Sequence, residues 1–212
     1  MQLGLSCDII LPLAPPITNR SRIVITTART YAMLGNETLW DAAVRCHETL
    51  AVSGISHTIV GGLAVCLHGY RRNTVDVDLL VRREDSEAIR ATLEAAGFQW
   101  SPQNHEFLSP SGIPIQFLLA GDRAGNDSEV RFPDPGMANT VTMKEGLPVL
   151  SLARLIESKL ACGAGNLRRT HKDFADVIEL IDVNQLPASF VRFLHKSVRE
   201  SFRELFRRTQ AG

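Results

Sequence analysis

The stretch His57 to Arg83, HTIVGGLAVCLHGYRRNTVDVDLLVRR, decides how the rest of the chain is read. It opens on a short β-rich run, His57 to Val60, and two glycines follow at once. A helix-length segment from Leu63 to about His68 comes next, and a second β run, Thr74 to Val81, carries Asp76 and Asp78. Side chains alternate along a strand with a period of two, so both carboxylates share one face. Gly61 and Gly62 leave backbone N–H groups uncovered at a helix N-terminus, where the dipole favours an anion such as a triphosphate. Asp76 and Asp78 are hard oxygen ligands suited to Mg²⁺, which takes one or two carboxylates together with phosphate oxygens. A Gly-Gly pair after a strand is by itself commonly just a tight turn. Two like charges on an otherwise apolar run are harder to dismiss, because they cost stability unless a cation or solvent neutralises them. In this order the two halves point to one ligand, a metal-bound nucleoside triphosphate.

These residues resemble the signature of the nucleotidyltransferase superfamily that includes DNA polymerase beta, a glycine pair followed by Asp-x-Asp. The form Gly61-Gly62-x-Ala64…His68-Gly69…Arg72-x-Thr74-x-Asp76-x-Asp78-Leu79-Leu80 is most similar to the bacterial minimal nucleotidyltransferases and the AbiEii/AbiGii abortive-infection toxin group. The resemblance covers roughly residues 38 to 182. It implies an α/β (α+β) fold, a mixed sheet flanked by helices and followed by a C-terminal helical region. It also implies that the glycine turn holds the β- and γ-phosphates of an NTP, that Asp76 and Asp78 bind Mg²⁺ or Mn²⁺, and that a later strand brings a third carboxylate. Arg72 and Thr74 fall inside the motif and are expected on the nucleotide.

Composition sets the outer bounds. A chain of 212 residues, 44% apolar and 22% charged, is an ordinary globular sequence, long enough for one domain with a full core or for a compact domain with a helical appendage. Basic and acidic residues balance at 23 each, so no global field announces a nucleic-acid partner. Cys7, Cys46, Cys66 and Cys162 match no zinc or redox spacing and read as free thiols of a reducing cytoplasm. No apolar run approaches the roughly 20 residues of a membrane helix.

Residues 1 to 35 are expected to be a poorly ordered N-terminal arm, or alternatively to add a strand to the sheet edge; residues 36–145 form the nucleotidyltransferase-like core and residues 146–212 the helical region. Asn36 is placed as the N-cap of an amphipathic helix ending near Gly54, and Asp85 to Ala96 is a second helix closed by Gly97. Short β segments follow at Phe98 to Trp100 and Glu106 to Leu108, then Ile113 to Leu119 after the turn Ser109 to Gly112. Gly121 to Gly136 reads as a long loop that covers the site.

At the position where the resemblance expects the third carboxylate, this chain has Gln116. A neutral amide is a poor Mg²⁺ ligand and no base at neutral pH. If the Ser109 to Gly112 turn sets the register, His105 lies opposite Gln116 and Glu106 opposite Ile115, which makes His105 the candidate replacement base.

A second block, Leu155…Lys159-Leu160-Ala161…Arg168-Arg169…Lys172-Asp173…Asp176, begins on a helix that Ser151 is expected to cap. It resembles the helical half of the same toxin-like group and implies catalytic and phosphate-binding roles for Lys159, with Lys172 also on the nucleotide. The competing reading is that Asp173 and Asp176 merely lace helices together through these cations. From Pro187 to Arg208 an apolar stripe runs at helical spacing beside a basic one, Arg192, Lys196, Arg199, Arg203 and Arg207, which suits an RNA backbone or a solvated face. The function expected is transfer of a nucleoside monophosphate from an NTP to a hydroxyl of tRNA, a protein or a small molecule. The alternative is a catalytically impaired nucleotide-binding or toxin–antitoxin-type interaction module, since Gln116 breaks the metal triad.

Overall fold

A computed structural model of the chain describes residues 25–211, apart from the side chains of residues 167, 168 and 211. Residues 1–24 of the expected arm, with most of its apolar pieces, lie outside the described residues. Thr27–Met33 forms α1, whose Tyr31 is buried and donates its hydroxyl to Cys66 Sγ at 3.2 Å. The first N–H groups of α1 donate to the Glu145 carboxylate, an anion at the positive end of a helix.

The chain continues through α2 (Glu37–Val52), β1 (His57–Ile59), α3 (Gly61–Leu67), β2 (Val77–Val81) and α4 (Ser86–Ala95). It then runs through β3 (Gln99–Ser101), β4 (Glu106–Leu108), β5 (Pro114–Leu119), β6 (Val141–Lys144) and β7 (Leu147–Leu150) to α5 (Leu152–Gly165), α6 (Leu167–Val183) and α7 (Arg199–Ala211). The seven strands form one mixed sheet, ordered β3-β4-β5-β2-β1-β7-β6, in which β2 runs parallel to β5 and antiparallel to β1. This is the mixed sheet between helices that the motif implied.

Period-two alternation divides the central strands into two chemistries. Val77, Leu79, Val81 and Ile115 are buried, with α4 on their side contributing Ile89 and Leu93 to the core. Asp78 and Gln116 alternate with them and face the opposite side, where α5 and α6 close the sheet. The helices form where amphipathic periodicity ends in turn chemistry. Gly97, at φ +87, follows α4 in the C′ position and lets Phe98 N–H reach Leu93 O at 3.0 Å.

Three expectations of detail shift. Asn36 and Ser151 precede α2 and α5 as placed, but neither side chain caps its helix. The Asn36 amide instead donates to Asn73 Oδ1 and Thr74 O, both at 3.0 Å, fixing the loop that leads to Asp76. Past Pro187 the chain makes two short 3₁₀ turns, Ala188–Phe193 and Lys196–Val198, before α7 begins, so the long C-terminal helix starts a dozen residues late. Between the two turns, buried Glu157 accepts the His195 backbone N–H at 2.5 Å. Among the described residues, no helix is long and apolar enough to cross a membrane.

Three imidazoles lock these elements. His57 Nδ1 bonds Ile55 O at 2.8 Å and its Nε2 meets His47 Nδ1 at 2.8 Å, while His68 Nε2 bonds Leu150 O at 2.8 Å. Burial lowers the pKa of all three, so the folded state favours neutral rings. With folded values below the unfolded value of about 6.5, their contribution is intact above that pH and is lost as pH falls through the lower values. Thermal denaturation is therefore expected to show a flat Tm above pH 7 and a falling Tm between pH 6.5 and 5; a Tm that rises over that interval contradicts the assignment.

Candidate active site

Gly61 sits at φ +61, in the left-handed region, and a Cβ built on it falls 1.7 Å from Asp78 Oδ2. No other residue fits there. A Cβ on Gly62 falls 2.5 Å from Thr74 Oγ1 and 3.2 Å from an Arg72 nitrogen. The glycine corner is thus pressed against Asp78, Thr74 and Arg72, the residues the motif singled out. Asp78 belongs to β2, whereas Asp76 lies just ahead of the strand, which starts at Val77 and not at Thr74. Thr74 Oγ1 donates to Asp76 Oδ1 at 2.8 Å and orients that carboxylate. The first N–H groups of α3 have no partner inside their own helix. They open, with Asp76 and Asp78, into a cleft of about 200 Å³. Its walls include Lys159, Arg169, Lys172 and Phe132.

Lys159 and Arg72 do reach this cleft, but each is already held by acids. Lys159 Nζ lies 2.8 Å from both Asp173 Oδ1 and Asp176 Oδ2, and Arg72 Nε lies 2.7 Å from Asp176 Oδ1. Asp173 and Asp176 are fully buried. The cluster ties α5 and α6 to the loop ahead of β2, which is the lacing that the competing reading anticipated, reached across two helices instead of along one. An ammonium has three protons, so Lys159 keeps one for a ligand. Lys172 and Arg169 are exposed at the rim, Arg169 3.6 Å from Asp173 Oδ2. The Arg168 side chain lies outside the described residues.

The long loop after β5 folds back as a small hairpin, with Gly121 N–H on Phe132 O at 2.8 Å and Ala124 N–H on Val130 O at 2.9 Å. Arg82, just beyond β2, clamps Asp134 through two bonds of 2.8 and 2.9 Å. Phe132 is thereby set in the cleft wall, as a covering loop requires.

The expected register of β4 on β5 is off by one residue. Ser109 N–H bonds Ile113 O at 2.9 Å, so the hairpin loop is the three residues Pro110-Ser111-Gly112, with Gly112 at φ +81. The expectation assumed two residues. Phe107 therefore pairs with Ile115, and Glu106 comes beside Gln116, whose Nε2 donates to Glu106 Oε2 at 3.1 Å. His105, at φ +54, turns toward Trp100 on the α4 side of the sheet and is no neighbour of Gln116. A one-residue slip exchanges the two faces, so the carboxylate and not the imidazole joins the Asp78 face. Glycine at the third loop position was the sequence signal for this register.

Asp78 titrates above the ordinary carboxylate range, first because it is buried and second because Asp76 is adjacent; Lys159, Arg169 and Lys172 offset this only in part. Among the described residues no cation pairs with it directly. Nor do any three His, Cys, Asp or Glu side chains among them form a closed metal cage. Two crowded hard carboxylates with an open side suit a divalent cation that completes its shell with phosphate oxygens.

Sheet order, glycine corner and paired aspartates define the class: the chain is a member of the nucleotidyltransferase superfamily. A family model for aminoglycoside-2''-adenylyltransferase matches residues 43–154, more than half of the 212-residue chain, and the chain belongs to that family. The solution structure of the antibiotic-resistance factor ANT(2'')-Ia is similar, with a TM-score of 0.51 at 16% identity, over 82% of this chain and 94% of that one. The crystal structure of ANT(2'')-Ia in complex with adenylyl-2''-tobramycin gives a TM-score of 0.50 at 16% identity, over 80% and 97%. At such identity the likeness is one of fold. No curated protein sequence matches the chain.

Two substitutions should move stability in opposite directions. A raised folded pKa means that the ionised Asp78 disfavours the fold at neutral pH, a cost absent below the unfolded value and felt as pH rises through the folded one. Asp78→Asn is expected to raise the Tm of the free protein by about 2–4 °C, the effect of roughly 1 kcal/mol in a domain of this size. Lys159→Ala leaves two buried carboxylates without their ammonium and is expected to cost about 3–5 kcal/mol. Calorimetric melts check both; a lower Tm for Asp78→Asn contradicts the electrostatic account.

Proposed function

We propose that the protein transfers a nucleoside monophosphate from an NTP to a hydroxyl of a small, amine-bearing acceptor of the aminoglycoside kind, using Mg²⁺ or Mn²⁺. The observation that carries this is the contact of Gly61 with Asp78, which sets a phosphate-binding turn against a metal-binding carboxylate. The Gly61-Gly62 turn would receive the triphosphate through its backbone N–H groups. Asp76 and Asp78 would hold the metal, which supplies charge stabilisation on the phosphates and the leaving group. Lys159 offers its remaining proton to a phosphate oxygen, Lys172 and Arg169 add charge at the rim, and Arg72 and Thr74 keep the corner in place. The acceptor oxygen would attack the α-phosphorus, the bond to the bridging oxygen would break, pyrophosphate would leave, and the hydroxyl proton would pass to water.

Family membership supports an amine-bearing small acceptor. The charge distribution supports it over tRNA. In the basic stripe of the C-terminal segment, Arg203 and Arg207 pair with Glu200, and Lys196 lies 3.5 Å from Glu129, which leaves a mixed surface and not a bare basic ridge. The AbiEii-like reading rested on Lys159 and Lys172-Asp173…Asp176, whose cluster here has a structural role of its own. Gln116 favours a second reading, a nucleotide-binding module that no longer turns over.

Incubating the purified protein with α-labelled NTPs, Mg²⁺ or Mn²⁺, and either aminoglycosides or total tRNA separates these readings. Label is expected on the aminoglycoside, and Asp76→Ala is expected to abolish it. Label on RNA would contradict the small-acceptor reading, and calorimetric nucleotide binding without transfer to either acceptor would favour the impaired module.

A further inference from the structure

Gln116 lines the cleft with an exposed side chain, on the same sheet face as its register partner Asp78. One strand further out, Glu106 is only 8% exposed, and among the described residues no cation pairs with it. Its two oxygens accept instead from neutral amides, Oε1 from Asn104 Nδ2 and Oε2 from Gln116 Nε2, both at 3.1 Å. An ionised carboxylate only accepts, so this contact fixes which end of the Gln116 amide faces β4. The NH₂ group points to Glu106, and the carbonyl oxygen, which has no protein partner among the described residues, is turned away from it. A hydrogen bond to a buried charge also polarises the amide and makes its oxygen a better acceptor.

We infer that Glu106 and Gln116 form the docking point for the acceptor's hydroxyl: Gln116 Oε1 accepts the hydroxyl hydrogen bond, and Glu106 is the positioning residue that holds the amide in that orientation. This rests on the proposed transfer reaction and specifies its acceptor side. The carboxylate that the superfamily pattern places at residue 116 has, in this chain, a counterpart one strand away that acts through a neutral intermediary. The arrangement keeps a third negative charge away from the Asp76 and Asp78 pair and still presents an acceptor atom beside it. It also revises what a simple restoration would do. Gln116→Asp alone sets a second carboxylate against Glu106, so it is expected to lose the hydrogen bond and gain nothing.

A double-mutant cycle with Glu106→Gln and Gln116→Ala tests the inference on steady-state kinetics. Each single variant is expected to lower kcat/KM for the acceptor by about tenfold or more, the loss of one oriented hydrogen bond to a reacting group. NTP affinity, measured by calorimetry, should stay within about twofold. Because Glu106 acts through Gln116, the double variant should be no worse than Gln116→Ala alone. A role confined to anchoring the turn ahead of β4 would lower Tm and leave the losses independent. Should a single variant fail to fold, the exchanged pair Glu106→Gln with Gln116→Glu keeps the hydrogen bond in reverse and should fold and transfer. The inference alone is overturned if Glu106→Gln keeps kcat/KM for the acceptor within about twofold of wild type, if the two losses multiply, or if a folded exchanged pair is inactive. Absence of any transfer by the wild type overturns it together with the proposed function.

Discussion

A half-buried carboxylate without a cation of its own governs this molecule. Asp78 lies at the glycine corner with Asp76 beside it, and two cations of the cleft wall, Lys159 and Arg72, are committed to Asp173 and Asp176. Had either cation turned toward Asp78, the site would be an internally neutral salt-bridge cluster with nothing left to attract a metal. Instead Lys159 and Arg72 neutralise Asp173 and Asp176, and the paired carboxylates at the central strand β2 are left without a direct cation partner among the described residues. That division assigns one group of charges to holding the fold and leaves the other for a ligand.

The fold follows from the same separation. Alternation along β2 and β5 puts Val77, Leu79, Val81 and Ile115 into the core on one face, while Asp78 and Gln116 line the cleft on the other. The loop after β5 is drawn over the cleft by the Arg82 clamp on Asp134, which sets the Phe132 ring in the cleft wall.

Much of this was legible in the chain because the decisive contacts are local in sequence. Gly61, Gly62, Thr74, Asp76 and Asp78 lie within one strand–turn–helix–strand unit, and short-range geometry is what periodicity and turn chemistry report. The mixed sheet followed from the same unit. What was not legible depends on long-range partners or on one residue of loop length. Lys159 looked free because its acids sit on the following helix and a sequence does not say which of several cations they choose. His105 looked better placed than Glu106 because the loop was taken as two residues long, and with a period of two that error exchanges the faces. The helix expected from Pro187 onward was delayed because amphipathic spacing survives in 3₁₀ turns and cannot by itself tell them from an α-helix.

The most direct measurement is the Mg²⁺ dependence of nucleotide binding, by calorimetric titration of a non-hydrolysable NTP into wild-type protein and into Gly61→Ala. If the glycine turn and the aspartates bind one chelate, affinity in the wild type requires Mg²⁺. In the variant it is lost, because the added methyl meets Asp78 at 1.7 Å on a backbone of positive φ. Equal affinity with and without the metal, or unchanged affinity in a folded Gly61→Ala protein, would contradict the account at its centre.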